Sequence, residues 1–287
     1  MFSLLVTSFS PAFAETQETK KFGLPPFYNT KNAIKNLETL PSFGQTTILI
    51  EESKNTTSPL NLVYSGDKQK PMILFIHGSP GSWNAWADYL NDTDLQKQFF
   101  MVAADRPAFG KSNNGSSGKS LKEQVKLIMT AVNKLAPEKK NFIVVGHSYG
   151  GPMALRLAID YPSYAKSMVL LAPAISPELT KKKWYNTAAD LLLIRPILPE
   201  NLQHSNDEMV PLKSELVNMQ PSLKNIKAPT SVIQGMKDGL VPYGNAAFAK
   251  QALSNAKVDT KLLEERGHFI PWEEYNLVKK TIIEHGR

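Results

Sequence analysis

From about Leu60 onward the apolar residues fall into two alternating patterns. Short continuous runs, Met72 to Ile76 and Phe99 to Ala104, suit strands buried on both faces of a sheet. Leu121, Val125, Ile128 and Val132 recur near helical spacing and predict a helix over Leu121 to Leu135. The sequence then predicts a strand at Phe142 to Val145, a helix at Met153 to Ile159 and a strand at Ser167 to Ala172. After one break the alternation resumes with strands at Thr230 to Gln234 and Val258 to Glu264, and helices at Ala246 to Leu253 and Tyr275 to Ile283. Upstream, Thr46 to Ile50 and Leu60 to Tyr64 predict two more strands, joined by the polar stretch Glu51 to Pro59. The expected fold class is therefore α/β: a mostly parallel, eight-stranded sheet with helices on both faces. In such sheets the active groups gather at the carboxyl ends of the strands.

The break runs from about Ser176 to Ala228. It holds Trp184, Tyr185, the run Leu191 to Ile194 and the prolines Pro177, Pro196, Pro199, Pro211 and Pro221, with no clear buried strand. We expect one or two amphipathic helices forming a lid over the active end; the alternative, a plain connection, would be unusually long. Residues 15–45 are polar and broken by Pro25, Pro26 and Pro41, which predicts an extended arm with a short helix around Ile34 to Leu40. The domain plan is a core of residues 46–175 and 229–287 with the lid, 176–228, inserted between its halves.

Met1 to Ala14 is an uncharged, apolar stretch ending in Ala12-Phe13-Ala14. Small residues at both alanines fit a signal peptidase, so cleavage is expected before Glu15, with export to a bacterial periplasm or secretion. No Lys or Arg precedes the apolar run, which suits a signal that continues upstream. The alternatives are an apolar arm packed on the domain or a membrane anchor, although the stretch is shorter than the roughly 20 residues that span a bilayer.

Composition narrows the chemistry. At 287 residues and 42% hydrophobic, the chain can bury one sizeable core plus an insertion. It has no cysteine, which excludes disulfides, thiolate metal sites and a cysteine nucleophile. The net charge of +7 is dispersed, its densest run being Lys181 to Lys183, and leaves open a weak association with a membrane surface. No nucleic-acid motif is present, so the expected partner is a small-molecule substrate. No His and carboxylate cluster has metal spacing, and Gly110 to Gly118 lacks the strand-then-helix setting of a phosphate cradle, so no cofactor is expected.

The strongest signal is Gly146-His147-Ser148-Tyr149-Gly150, between a strand and a helix. A serine on that sharp turn takes strained backbone angles, and the flanking glycines remove side chains that would clash. Ser148 is the expected nucleophile, and it needs a base within hydrogen-bond reach. Of the histidines His77, His147, His204, His268 and His285, His268 follows the last predicted strand at the active end. It is either that base or a surface-loop histidine. His77 ends a strand and is expected to brace the loop after it. A base needs an acceptor on its far nitrogen. Asp238, just past the Thr230 to Gln234 strand, is the candidate; Asp259 is a rival at the wrong end of its strand. The order Ser148, Asp238, His268 is that of the fold in which such elbows occur.

An oxyanion needs backbone donors. The N–H of Tyr149 is expected to be one. The other is assigned to Ser79 in the loop His77 to Trp83, because Pro80 has no N–H. In Asp105 to Ser112, Asp105 is expected to brace the loop through backbone N–H groups. Phe109 belongs either to the substrate pocket or to the core, and the same choice holds for Trp184 in the lid.

Taken together, His77 to Ser82, Asp105 to Ser112, the elbow around Ser148, Asp238 with Val241-Pro242, and Gly267-His268 resemble the lidded α/β hydrolases, the superfamily of esterases, lipases and proline iminopeptidases. The resemblance covers most of the chain from Leu60 and implies a serine triad. Epoxide hydrolases and haloalkane dehalogenases of similar design carry an aspartate where this chain has Ser148. Proline iminopeptidases typically show a second glycine where Ser79 stands and a Gly-Gly-Ser-Trp-Gly elbow. With the triad that the resemblance implies, the expected reaction is cleavage of a carboxylic ester by way of an acyl-enzyme. The apolar lid residues Trp184 and Leu191 to Ile194 suggest a small to medium hydrophobic acyl or alcohol group. An amidase or peptidase, a carbon–carbon bond hydrolase, a cofactor-free haloperoxidase, and a non-catalytic binding protein of the same fold are the alternatives.

Overall fold

The computed structural model describes residues 30–53, 56–113, 118–180 and 198–287. The expected export signal, most of the arm, Lys181 to Lys183, Trp184 and Leu191 to Ile194 lie outside the described residues.

Eight strands among the described residues form one sheet: β1 (Gly44–Ser53), β2 (Thr56–Ser65), β3 (Met72–Ile76), β4 (Phe100–Ala104), β5 (Phe142–His147), β6 (Ala165–Leu171), β7 (Thr230–Gly235) and β8 (Val258–Leu263). Their order across the sheet is β1-β2-β4-β3-β5-β6-β7-β8. β1 and β2 pair antiparallel, as do β2 and β4; every later pairing is parallel. This is the α/β-hydrolase fold that the sequence implies. β3, β4, β5 and β7 are buried at every position, as strands covered on both faces must be. β8, at the edge, alternates between half-buried and exposed.

Each face of the sheet has its own apolar core. On one face, helices Leu121–Leu135 and Gly150–Asp160 pack over Leu74, Val102, Val144 and Leu170. On the other, Thr30–Leu37, Ala87–Asn91, Thr93–Gln98 and Tyr275–Gly286 cover Ile73, Phe75, Met101 and Val145. Helix Leu121–Leu135 starts where the sequence predicts, and its start is fixed by a capping box between Ser120 and Glu123.

Three expectations need correction. The stretch 51–59 is not a polar connection: β1 runs to Ser53 and β2 begins at Thr56. Pro59 sits inside β2, opposite Leu49, because β4 pairs β2 only from Leu62 onward and leaves that side of Pro59 without a neighbour. The arm helix is Thr30–Leu37 rather than Ile34 to Leu40, since Pro41 disfavours helical angles at the residue before it. Helices Ala87–Asn91 and Thr93–Gln98 were not expected at all. They are too short to set up a periodicity, and the second is started by Asp92, whose side chain accepts from the N–H groups of Asp94 and Leu95.

Between β6 and β7 lies one long described helix, Glu200–Leu223, with Pro211 and Pro221 inside it. His204, Glu208, Leu212 and Leu216, spaced by four, are all buried and form the stripe that faces the domain.

Candidate active site

β3, β5, β7 and β8 end on the same edge of the sheet, so the segments that follow them converge: His77 to Trp83, the Ser148 elbow, Met236 to Val241, and Arg266 to His268. Ser148 has φ of 54°, in the left-handed region. Its N–H bonds to the Leu171 carbonyl at 2.9 Å, and its own carbonyl accepts from Gly151 at 3.0 Å. Glycines on either side make this turn possible. A Cβ on Gly146 would stand 2.3 Å from the Gly150 carbonyl oxygen, and one on Gly150 would stand 2.2 Å from that of Ile76. Ser148 is partly exposed and opens into a cavity of about 420 Å³. Ser79, Tyr149 and His268 line the same cavity, whose wider wall is mainly apolar and includes Leu179, Met209 and Leu212.

His268 is buried, and its Nδ1 lies 2.8 Å from Oδ2 of Asp238. The Asp238 side chain has no accessible surface. Its Oδ1 accepts from the N–H groups of Leu240 and Val241, both at 2.8 Å, and Oδ2 also accepts from Gln234 at 3.0 Å. Burial pushes this carboxyl up, but the hydrogen bond from His268 and the backbone donors outweigh it and hold the group below its ordinary value. An ionised acceptor at Nδ1 keeps the imidazole proton there and leaves Nε2 as the basic nitrogen. Asp259 pairs with Ser231 near the opposite end of β8.

The remaining histidines have other tasks. His77 is fully buried, and its Nε2 accepts from the Arg106 N–H at 3.0 Å. Nδ1 therefore carries the proton and donates to the Gly78 carbonyl at 2.7 Å, so His77 braces the loop. Burial, then the Arg106 charge, holds its pKa well below the ordinary value. His147 bonds through Nε2 to the His268 carbonyl at 3.0 Å and meets Trp272 edge to face. His285 bonds Ser231 at 2.8 Å. His204, on helix Glu200–Leu223, stands edge-on to Phe109. Asp105 accepts from the N–H of Trp83 at 2.7 Å, the N–H of Lys111 at 2.9 Å and the Asn61 amide at 2.8 Å, and so ties three segments together. Burial outweighs these donors and raises its pKa.

Phe109 is buried beside His77 and Arg106 and does not line the cavity that holds Ser148. Of its two sequence-based readings, the structure places it in the core. Trp184 lies outside the described residues. Sequence reasoning missed Arg106, Glu208, Gln124 and Ser205. Arg106 and Glu208 form a fully buried ion pair, with Gln124 on the same guanidinium. Ser205 bonds Ser79 side chain to side chain at 2.8 Å. A signal was present: Glu208 stands one turn before Leu212 and two before Leu216 in a buried stripe, and a charge in such a stripe requires a partner.

A family model described as the alpha/beta hydrolase fold matches residues 71–209. The human monoacylglycerol lipase ABHD6 is 26% identical over 257 residues, covering 75% of each chain. The proline iminopeptidase PfmaB of Pestalotiopsis fici is 22% identical over 264 residues, covering 77% of this chain and 93% of that protein. Among solved structures, one of a putative lipase from Acinetobacter baumannii superposes with a TM-score of 0.62 at 22% identity, covering 89% of this chain and 93% of that one.

Proposed function

The chain is a member of the α/β-hydrolase superfamily, and on that premise we propose that it is a serine hydrolase cleaving a carboxylic ester with a small to medium hydrophobic group. The observation that carries this reading is the 2.8 Å bond between Asp238 and His268 beside a serine held at positive φ in the same cavity. Ser148 attacks the ester carbonyl while Nε2 of His268 takes its proton. Asp238 keeps the imidazole in the required tautomer and stabilises its charged form. The tetrahedral oxyanion is met by the N–H groups of Ser79 and Tyr149, each such donor lowering the barrier by about 3 kcal/mol. His268 returns the proton to the departing alcohol, leaving an acyl group on Ser148. Water, deprotonated by His268, then releases the carboxylic acid and restores the serine.

Ester substrates are favoured by the apolar wall of Leu179, Met209 and Leu212, which suits an acyl chain better than a charged peptide. The lipase relatives point the same way. Export fits the apolar segment ending at Ala14, and the amino-terminal sequence of the mature protein tests it.

The deciding experiment labels the purified protein with a fluorophosphonate beside Ser148→Ala, then assays p-nitrophenyl esters of increasing chain length and an anilide. We expect labelling lost in the variant, turnover of the esters and little of the anilide. A well-folded wild type that takes no label would overturn the serine mechanism; anilide turnover matching the esters would replace esterase with amidase.

A further inference from the structure

Arg106 has no accessible side-chain surface, yet it carries a charge against the backbone of the loop that holds His77 and Gly78. All five of its N–H donors are used. Nε donates to the His77 carbonyl at 3.1 Å and Nη2 to the Gly78 carbonyl at 2.9 Å. Nη1 donates to Gln124 at 3.1 Å. Glu208 accepts from both ends of the fork, at 2.5 Å and 2.7 Å. The guanidinium carbon also lies 4.6 Å from the ring centre of Tyr149.

One of these contacts bears on the oxyanion. The Gly78 carbonyl and the Ser79 N–H are the two ends of a single planar peptide unit, so fixing one fixes the direction of the other. That carbonyl accepts from Arg106 and from His77 Nδ1, at 2.9 Å and 2.7 Å. A charged donor on the carbonyl also polarises the amide and makes its N–H a better donor. Helix Glu200–Leu223 grips the same unit at two points one turn apart: Glu208 through Arg106, and Ser205 through the Ser79 hydroxyl.

Resting on the serine-hydrolase reading, we infer that Arg106 and Glu208 are positioning residues that aim and polarise the Ser79 N–H at the oxyanion. Helix Glu200–Leu223 is then part of the catalytic frame rather than a cover hinged over it. Glu208 supplies the counter-charge without which the buried guanidinium would not stay in place.

The test compares wild type, Glu208→Gln, Arg106→Lys and the double variant Arg106→Met with Glu208→Met. Rates are counted per site titrated with fluorophosphonate, so unfolded protein drops out. The double variant matters because an apolar pair often replaces a buried ion pair with no loss of stability. A purely structural role would therefore be repaired in it, whereas a positioning role would not. We expect kcat to fall about 10- to 100-fold in all three variants with KM little changed, somewhat less than the loss of a whole oxyanion donor. Affinity for an alkyl boronic acid, which forms a tetrahedral adduct on the serine, should fall in parallel. Wild-type kcat and boronate affinity per titrated site in the double variant would overturn the inference and leave the serine mechanism standing. Absence of labelling in the wild type would instead sink the mechanism on which it rests.

Discussion

His147 donates from Nε2 to the backbone carbonyl of His268, 3.0 Å away, so the residue before the elbow serine holds the loop of the second histidine in place. A carbonyl only accepts, which puts a proton on His147 Nε2. Burial, then the nearby His268, pushes its pKa down to about 3.

A pH signature follows. The folded value lies below the ordinary 6.5, so the contribution of neutral His147 to stability is complete above about pH 6.5 and is lost progressively as the pH falls toward about 3. Melting temperatures across that window should decline in the wild type and decline less steeply in His147→Gln, which keeps an N–H donor but does not titrate. His77, also held low by burial, keeps part of the slope. Identical slopes in the two proteins would remove His147 as a source.

Asp238 behaves in the opposite sense. Its carboxyl is held below the ordinary 3.8, so what its ionised form adds to stability is present above about that value and disappears as the pH falls through the lower folded one. Asp238→Asn should therefore leave the pH dependence of melting above about pH 5 unchanged. Its effect belongs in the rate: by analogy with other serine triads, kcat should fall about 10⁴-fold, because the amide presents a donor to Nδ1 or pulls the wrong tautomer. Steady-state ester kinetics read this directly, and a loss under tenfold would remove Asp238 from the orienting role.

Helix Leu121–Leu135, strand Met72–Ile76 and the loops carrying Ser148, Asp238 and His268 were legible because their signals are local: a period, an apolar run, a glycine pair around a serine. What stayed hidden depends on distant partners. Arg106 and Glu208 are 102 residues apart, and no spacing rule joins them. The length of β1 and β2 was hidden for a related reason, since their outer halves are held by pairing with each other rather than by burial. Phe109 looked equally suited to pocket or core because its place is decided by Arg106 beneath it.

The elbow tolerates no extra carbon. Gly146→Ala would set a methyl 2.3 Å from the Gly150 oxygen, and Gly150→Ala would set one 2.2 Å from that of Ile76, backbone atoms that cannot swing aside. Each should destabilise by at least the upper end of the about 1–3 kcal/mol typical of overpacking and abolish fluorophosphonate labelling. Gly239→Ala, whose Cβ would meet nothing within 4 Å, should melt as the wild type does. Thermal melts of the three variants decide the matter, and a stable, fully labelled Gly146→Ala would show that the turn relaxes more readily than its geometry implies.

Chain-length preference should follow Met209, which reaches the cavity wall from helix Glu200–Leu223 without belonging to the Arg106 cluster. Met209→Trp should move the optimum of an ester series toward shorter acyl chains and Met209→Ala toward longer ones, each by about two carbons, since a methylene in such a pocket carries about 1–3 kcal/mol. An unchanged profile in both variants would place the acyl chain elsewhere.

The ion pair between Arg106 and Glu208 also sets where this chain can be cut and recombined. An exchange of the whole segment between β6 and β7 for one that places no carboxylate where Glu208 stands would strand a guanidinium with no exposed surface, together with the two carbonyls it holds. An exchange confined to residues 181–197 leaves that pair intact. The unit by which specificity can be traded among such chains is therefore shorter than the interruption in the strand–helix alternation. A chimera that respects the boundary keeps the pair; one that crosses it must bring its own acid for the buried guanidinium.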